Sequence, residues 1–301
     1  MEHVCTVRLC GFCIGRHRWV LHSDWRRSQR GPSFLPRRVG PRFFRSSLPQ
    51  VIVWRDGRSG ADRGWRGRPL LDAQPARGTR AFNQELWYAL TECLDRAASD
   101  DGVRCVLLTG SGRAFSAGQD LAEMADPSVF EGAEPGYERL MPTLEAFPKP
   151  LIAAVNGVGV GIGLTALLHC DMALISADAR LKVPFMSLGV TTEAAASVLL
   201  PSVVGAQRAA EIIYTEPWID AETAVADGLA LRSVPAAELM DRARELAALV
   251  ASKPLPSLVA TKKLITAARI DAVRAARRRE SAEFASLVSA MTNGSDGAGE
   301  V

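Results

Sequence analysis

Apolar positions fall into a regular order only from about residue 81 onward. Over 83–98, NQELWYALTECLDRAA, residues Leu86, Leu90, Leu94 and Ala97 recur on one helical face, and Asn83 stands where an N-cap belongs. After the DDG turn, VRCVLLTG at 103–110 is short and almost wholly apolar, which predicts a buried strand. PLIAAV at 150–155 and MALISAD at 172–178 predict two more. Glycine-rich loops follow the first two strands, SGRAFSAGQDL at 111–121 and NGVGVGIGL at 156–164. Asp120 is placed to cap LAEM, and the second loop leads into a helix over 163–171. Further helices are predicted at 193–202, 206–214, 221–227 (stopped by Gly228), 236–252 and 256–291, the last open to a break. Residues 126–149 carry Pro127, Pro135, Pro142 and Pro148 and read as a mobile flap, and the last ten residues read as a frayed tail. Apolar strands alternating with helices define an α/β fold class.

Composition changes the picture of the first eighty residues. They hold 17 arginines and no lysine against 5 acidic residues, a net charge of +12, whereas the remainder carries −9. Four of the six tryptophans lie there, and RDGRSGADRGWRGRP follows neither a period of 2 nor one of 3.6. Three readings stand: a targeting or transit segment, an arginine-rich arm for nucleic-acid phosphates, or a start placed too early or out of frame. Cys10-x-x-Cys13, with Cys5, His17 and His22 nearby, has one ligand-like gap but no second pair at finger spacing, so no metal site is expected. The domain reading is therefore 1–80 as a poorly patterned segment, 81–252 as the core, 253–291 as C-terminal helices and 292–301 as tail. Cys93, Cys105 and Cys170 sit far apart in apolar contexts, as reduced packed thiols do, which favours an intracellular compartment. No apolar run reaches the ~20 residues needed to cross a bilayer.

The four glycines at 157, 159, 161 and 163 demand a close backbone approach. Gly161-x-Gly163-x-x-Ala166 nearly meets a dinucleotide fingerprint, with Asp178 after the next strand, but it occurs mid-chain and alone is weak. Tight helix–strand packing without a ligand is the plain alternative. Neither explains why two loops share one character.

Taken together, GRAFSAGQDLAEM (112–124) and KPLIAAVNGVGVGIGLTALLHCDMALISADARLKVPFMSLGV (149–190) resemble the two signatures of the crotonase, or enoyl-CoA hydratase/isomerase, family. AFNQELWYAL resembles its first helix and WIDAETAVADGLALRSVP a later helix–strand unit, so the resemblance runs from about 81 to 290. It implies a core of ββα spirals, an acyl-CoA thioester as substrate, and a homotrimer or dimer of trimers formed through C-terminal helices. It also implies an oxyanion hole made by the backbone N–H groups of Gln119 and Ile162, with Ala117, Gly118, Asp120, Leu121, Gly161, Thr165 and Phe185 around the substrate. No cofactor is implied beyond the coenzyme A of the substrate, and neither a metal nor a membrane is expected.

The two glutamates of a hydratase correspond to Thr165 and Phe185, neither of which can exchange a proton near neutral pH. VPFMSLGVTTEAAASVLLP (183–201) resembles instead the Δ3,Δ2-enoyl-CoA isomerase branch, whose sole base matches Glu193. An apolar setting from Phe185, Met186 and Ala194–Ala196 would raise that carboxylate's pKa. A plain helix N-terminal acid is the other reading of Glu193. His169, the one histidine after residue 80, reads as a packed residue. Lys149, Lys262, Lys263 and Arg80 are candidates for the CoA phosphates. The family's Arg-Asn-Ala turn is here TRAFN, with Arg80 in place of the asparagine, and the strand pair expected before it reduces to VIVW at 51–54. Three functions remain open: an isomerase using Glu193, a hydratase or other acyl-CoA lyase, and an inactive scaffold whose basic arm binds RNA. A cytoplasmic location is expected, or the mitochondrial matrix if the first segment is a transit peptide.

Overall fold

The computed structural model describes residues 50–55, 67–69, 81–124, 126, 129, 132 and 134–296, of which 50–55, 67–69 and 292–296 as backbone alone. Arg80 and the Cys10-x-x-Cys13 pair lie outside the described residues. All described residues belong to one compact unit.

Its centre is a six-stranded sheet in the order β10-β7-β5-β3-β1-β2. The strands β3 (Val103–Thr109), β5 (Leu151–Val155), β7 (Met172–Ser176) and β10 (Arg232–Val234) run parallel. β5 is buried throughout, as a central parallel strand covered on both faces must be. β1 (Gln50–Arg55) and β2 (Gly67–Pro69) complete the sheet as an antiparallel edge, with Ile52 opposite Leu107 and Pro69. The strand pair that the sequence reduced to VIVW is thus present. The sheet begins at residue 50, thirty residues before the domain boundary read from composition, because the short apolar run VIVW stands alone in an arginine- and glycine-rich stretch.

A second sheet has the order β4-β6-β8-β9, from β4 (Ala114–Ser116), β6 (Val158–Val160), β8 (Arg180–Lys182) and β9 (Ile219–Asp220). The chain therefore repeats one unit: a long strand of the first sheet, a short strand of the second, then a helix. β3–β4, β5–β6 and β7–β8 each follow this order, the ββα spiral that the resemblance implies. β6 lies inside the glycine run that the sequence reads as loop. Three residues are too few to show a period.

Helix α1 (Gln84–Ser99) starts as expected, with Asn83 Oδ1 accepting from Leu86 N–H at 3.0 Å. Its Leu86, Leu90 and Leu94 pack with Leu140, Met141 and Leu144 of α3 (Gly136–Glu145). The flap expected at 126–149 is therefore half helix, and Pro142 sits within it. α2 (Leu121–Met124) and α4 (Ile162–Thr165) are single turns, and α4 continues as a 3-10 turn over Ala166–His169. α5 (Ala196–Val204), α6 (Ala206–Thr215), α7 (Ala221–Ala226) and α8 (Leu239–Ala251) follow. Ala243, Ala247 and Ala251 of α8 recur every fourth residue and let the helix lie close on Cys105, Leu107, Ile152 and Ala154 of the sheet. α9 (Leu255–Ala267) and α10 (Ile270–Asp296) are the C-terminal helices, broken at 268–269. α10 runs into the segment expected to fray. Among the described residues no helix is long and apolar enough to cross a membrane.

Candidate active site

The two glycine-rich loops leave the same ends of the neighbouring strands β3 and β5, and Asn156 ties them together. Its Oδ1 accepts from Gly110 N–H at 2.9 Å, and its Nδ2 donates to the carbonyls of Gly112 and Ala114 at 3.0 and 3.3 Å. In the first loop, Phe82 forms a parallel bridge with Gln119, donating to Gly118 O at 2.7 Å and accepting from Asp120 N–H at 3.0 Å. Successive N–H groups of an extended chain alternate in direction, so the Gln119 N–H faces away from Phe82. In the second loop, Gly161 adopts φ +53°, a left-handed conformation that glycine takes without strain, and opens α4. The Ile162 N–H is then one of the donors a helix start leaves without an intrahelical partner. Among the described residues neither N–H has an acceptor. Gly163 sets the spacing between the loops: a Cβ there would lie 3.0 Å from Ser116 Cβ and 3.1 Å from Ser116 O.

Gln119 also lines a cavity of about 330 Å³, within the range of small-molecule sites, whose walls include Gln84, Met124, Tyr137, Glu193 and Phe284. Glu193 is half-buried, and no donor reaches its carboxylate among the described residues. Its Oε1 lies 3.9 Å from where a Gly161 Cβ would stand, which puts the carboxylate against the loop that presents Ile162. Burial first, and the negative charge of Glu280 second, push its pKa up to about 7.

The backbone carrying Glu193 is strained and held from three sides. Ala194 and Ala195 are fully buried and both have φ +59°, a region that L-residues enter at a cost of about 1–2 kcal/mol. Ala194 N–H donates to Tyr137 Oη at 2.8 Å, and Ala194 O lies 2.8 Å from His169 Nε2. A carbonyl can only accept, so His169 carries its proton on Nε2. Burial lowers its pKa to about 4, which keeps the ring neutral. The two oxygens of Glu280, on α10, accept from Ala195 N–H at 2.7 Å and Ser197 N–H at 2.8 Å.

The other sequence-selected residues take different places. Thr165 and Phe185 are core residues; Thr165, the last residue of α4, is wholly buried, and Phe185 packs among Leu181 and Val183. Gly118 is buried with φ +93°, while Ala117 and Leu121 are exposed. Asp120 caps α2 through Ala122 N–H at 2.9 Å. Lys149 is buried, and its Nζ donates to the carbonyls of Ala97 and Asp100, both at 2.7 Å, so it secures the end of α1 rather than facing solvent. Lys262 is likewise internal, donating to Lys149 O and pairing with Asp171 at 2.8 Å. Lys263 is exposed on α9. Met186 is 41% exposed and does not line the cavity. The apolar wall near Glu193 comes instead from Met124, Pro135, Phe284 and Ala285. The sequence reading missed Tyr137, Glu280 and Phe284. Tyr137 lay in the supposed flap, and Glu280 sits in RRRESAEF, which reads as a solvated helix face. Among the described residues no group of three or more His, Cys, Asp or Glu side chains could hold a metal ion.

The enoyl-CoA hydratase/isomerase family model matches residues 75–297. The chain belongs to this family. Among its curated relatives, the 1,2-epoxyphenylacetyl-CoA isomerase of Escherichia coli (strain K12) is 36% identical over 194 residues, 62% of this chain and 74% of that protein. A probable enoyl-CoA hydratase of Bacillus subtilis (strain 168) is 32% identical over 208 residues, 68% of this chain and 81% of its own length. Of solved structures, an enoyl-CoA hydratase/isomerase from Pseudoalteromonas atlantica T6c superimposes with a TM-score of 0.68 at 38% identity, covering 69% of this chain and 82% of that one. The crotonase-like fold and an enzyme of the enoyl-CoA hydratase/isomerase family follow from these matches. An acyl-CoA substrate is consistent with them.

Proposed function

We propose that this crotonase is an enoyl-CoA isomerase that converts 3-enoyl-CoA to trans-2-enoyl-CoA with Glu193 as its single base. The supporting observation is an unpaired carboxylate in a largely apolar cavity, against the loop of Ile162, in a chain whose two hydratase positions are the core residues Thr165 and Phe185. The thioester oxygen receives the N–H groups of Gln119 and Ile162. Glu193 takes a proton from C2, and the C–H electrons move into the thioester carbonyl to give a dienolate. Collapse of the dienolate forms the C2–C3 double bond as Glu193 returns the proton to C4. Fixed backbone donors suit this charge because they need not reorganise, and losing one costs about 3–4 kcal/mol of transition-state stabilisation.

Hydration would need a second group to deliver or accept a proton from water. The other two carboxylates that line the cavity are engaged: both oxygens of Glu280 hold backbone N–H groups, and Glu138 is held by Arg277 and Ser281. The two reactions separate by product. Given 3-enoyl-CoA, the protein should form trans-2-enoyl-CoA; given trans-2-enoyl-CoA in water, it should form no 3-hydroxyacyl-CoA above background. Rapid hydration would overturn the isomerase reading. The assembly belongs to the same proposal: a homotrimer formed through the C-terminal helices, for which α9 offers exposed Leu264 and Ile265, 74% and 61% accessible.

A further inference from the structure

The polar groups of the cavity divide into those already engaged and those left open. Glu138 is paired with Arg277 at 2.8 Å and accepts from Ser281 at 3.0 Å, and Glu280 caps α5. The Thr192 hydroxyl is buried away from the cavity surface. Tyr137 Oη accepts from Ala194 N–H at 2.8 Å, and two primary amides have open NH2 ends. Gln119 Oε1 accepts from Trp87 Nε1–H at 3.0 Å, and Gln84 Oε1 accepts from Gly136 N–H at 2.7 Å. An indole or backbone N–H can only donate, so each contact fixes which end of the amide is oxygen. The NH2 ends of both side chains therefore turn elsewhere. Neither is buried, neither has an acceptor among the described residues, and both residues line the same cavity.

We infer that Gln84 and Gln119 form a side-chain donor pair that selects acyl groups carrying an oxygen beyond the thioester, such as a ketone, ether or hydroxyl. This rests on the acyl-CoA reading of the cavity and names the substrate class within it. An all-carbon chain strips water from both amides and returns nothing, whereas an oxygenated chain replaces the lost hydrogen bonds. A site with fixed donors thus discriminates against the analogue that lacks an acceptor. Gln119 takes part twice, its backbone N–H at the thioester and its side chain further along the acyl group. The selected oxygen accordingly lies within one glutamine side chain's reach of the thioester end.

The test is calorimetric binding of saturated acyl-CoA thioesters, which do not react, so that a failed isomerase assignment leaves the result readable. Octanoyl-CoA is compared with equal-length counterparts in which one methylene is a carbonyl or an ether oxygen. The wild-type protein should bind at least one oxygenated thioester tighter by about tenfold or more. That ratio should fall toward one in Gln84→Met and in Gln119→Met. Gln84→Glu keeps an oxygen for Gly136 and replaces the donor end with an acceptor, so it should reverse the preference without loss of the local fold. Equal binding of the thioesters by the wild type, or a preference unchanged in the variants, would overturn the inference.

Discussion

Glu193, the base of the proposed isomerase, is a half-buried carboxylate without a partner among the described residues. Burial without a partner raises its pKa from 4.5 to about 7. The unfolded chain therefore releases this proton at lower pH than the folded one, and the folded state loses relative stability as pH rises from about 4.5 to 7. The full effect is up to roughly 3 kcal/mol and is constant above that window. Glu193→Gln should raise the melting temperature at pH 8 and leave it unchanged at pH 4, read by thermal denaturation at both values. On the proposed mechanism, kcat/KM for 3-enoyl-CoA should climb with pH and level off above about 7, as Glu193 ionises. Glu193 was legible in the sequence through its place in a family motif. Its environment was not, because Phe284 and Glu280 lie nearly ninety residues further on and only folding brings them to it.

The element that matters most is the turn from Glu193 into α5, with two alanines at φ +59°. Its supports come from α3, the 3-10 turn and α10, so no local pattern in 193–202 announces them. α3 itself was obscured by prolines, although Leu140, Met141 and Leu144 already had helical spacing. Tyr137→Phe leaves the buried Ala194 N–H without its acceptor, at a cost of about 1–3 kcal/mol. On the proposed mechanism the kinetic signature is a lower kcat with KM little changed, since Tyr137 holds the turn that carries Glu193. The glycine loop makes a second prediction. In Gly163→Ala the new methyl meets Ser116 Cβ and Ser116 O, pushing α4 away from β4 and separating the two N–H donors. Activity should fall by about two orders of magnitude, the size seen when one oxyanion donor is lost, with the circular dichroism spectrum retained.

At the scale of the molecule, the alternation of strand, glycine loop and helix was legible because β3 and β5 are short apolar runs each followed by a glycine loop. The ββα repeat itself came only from the family resemblance, since β4 and β6 read as loop. β1 was legible only as VIVW at 51–54 and β2 not at all, since three residues in an arginine-rich stretch leave no pattern. The C-terminal helices have two roles. Glu280 and Phe284 of α10 complete the site, while α9 is apolar in composition yet has Lys262 as its one buried residue. Light scattering should give a particle of three times the 32.4 kDa chain, or six for a dimer of trimers. Leu264→Asp combined with Ile265→Asp should reduce it to one. The central claim is that one carboxylate moves the proton, and it is tested most directly by single-turnover conversion of 3-enoyl-CoA in wild type and Glu193→Gln. The account predicts formation of trans-2-enoyl-CoA by the wild type and none above background by the variant. Conversion by Glu193→Gln at a rate near the wild type would contradict it.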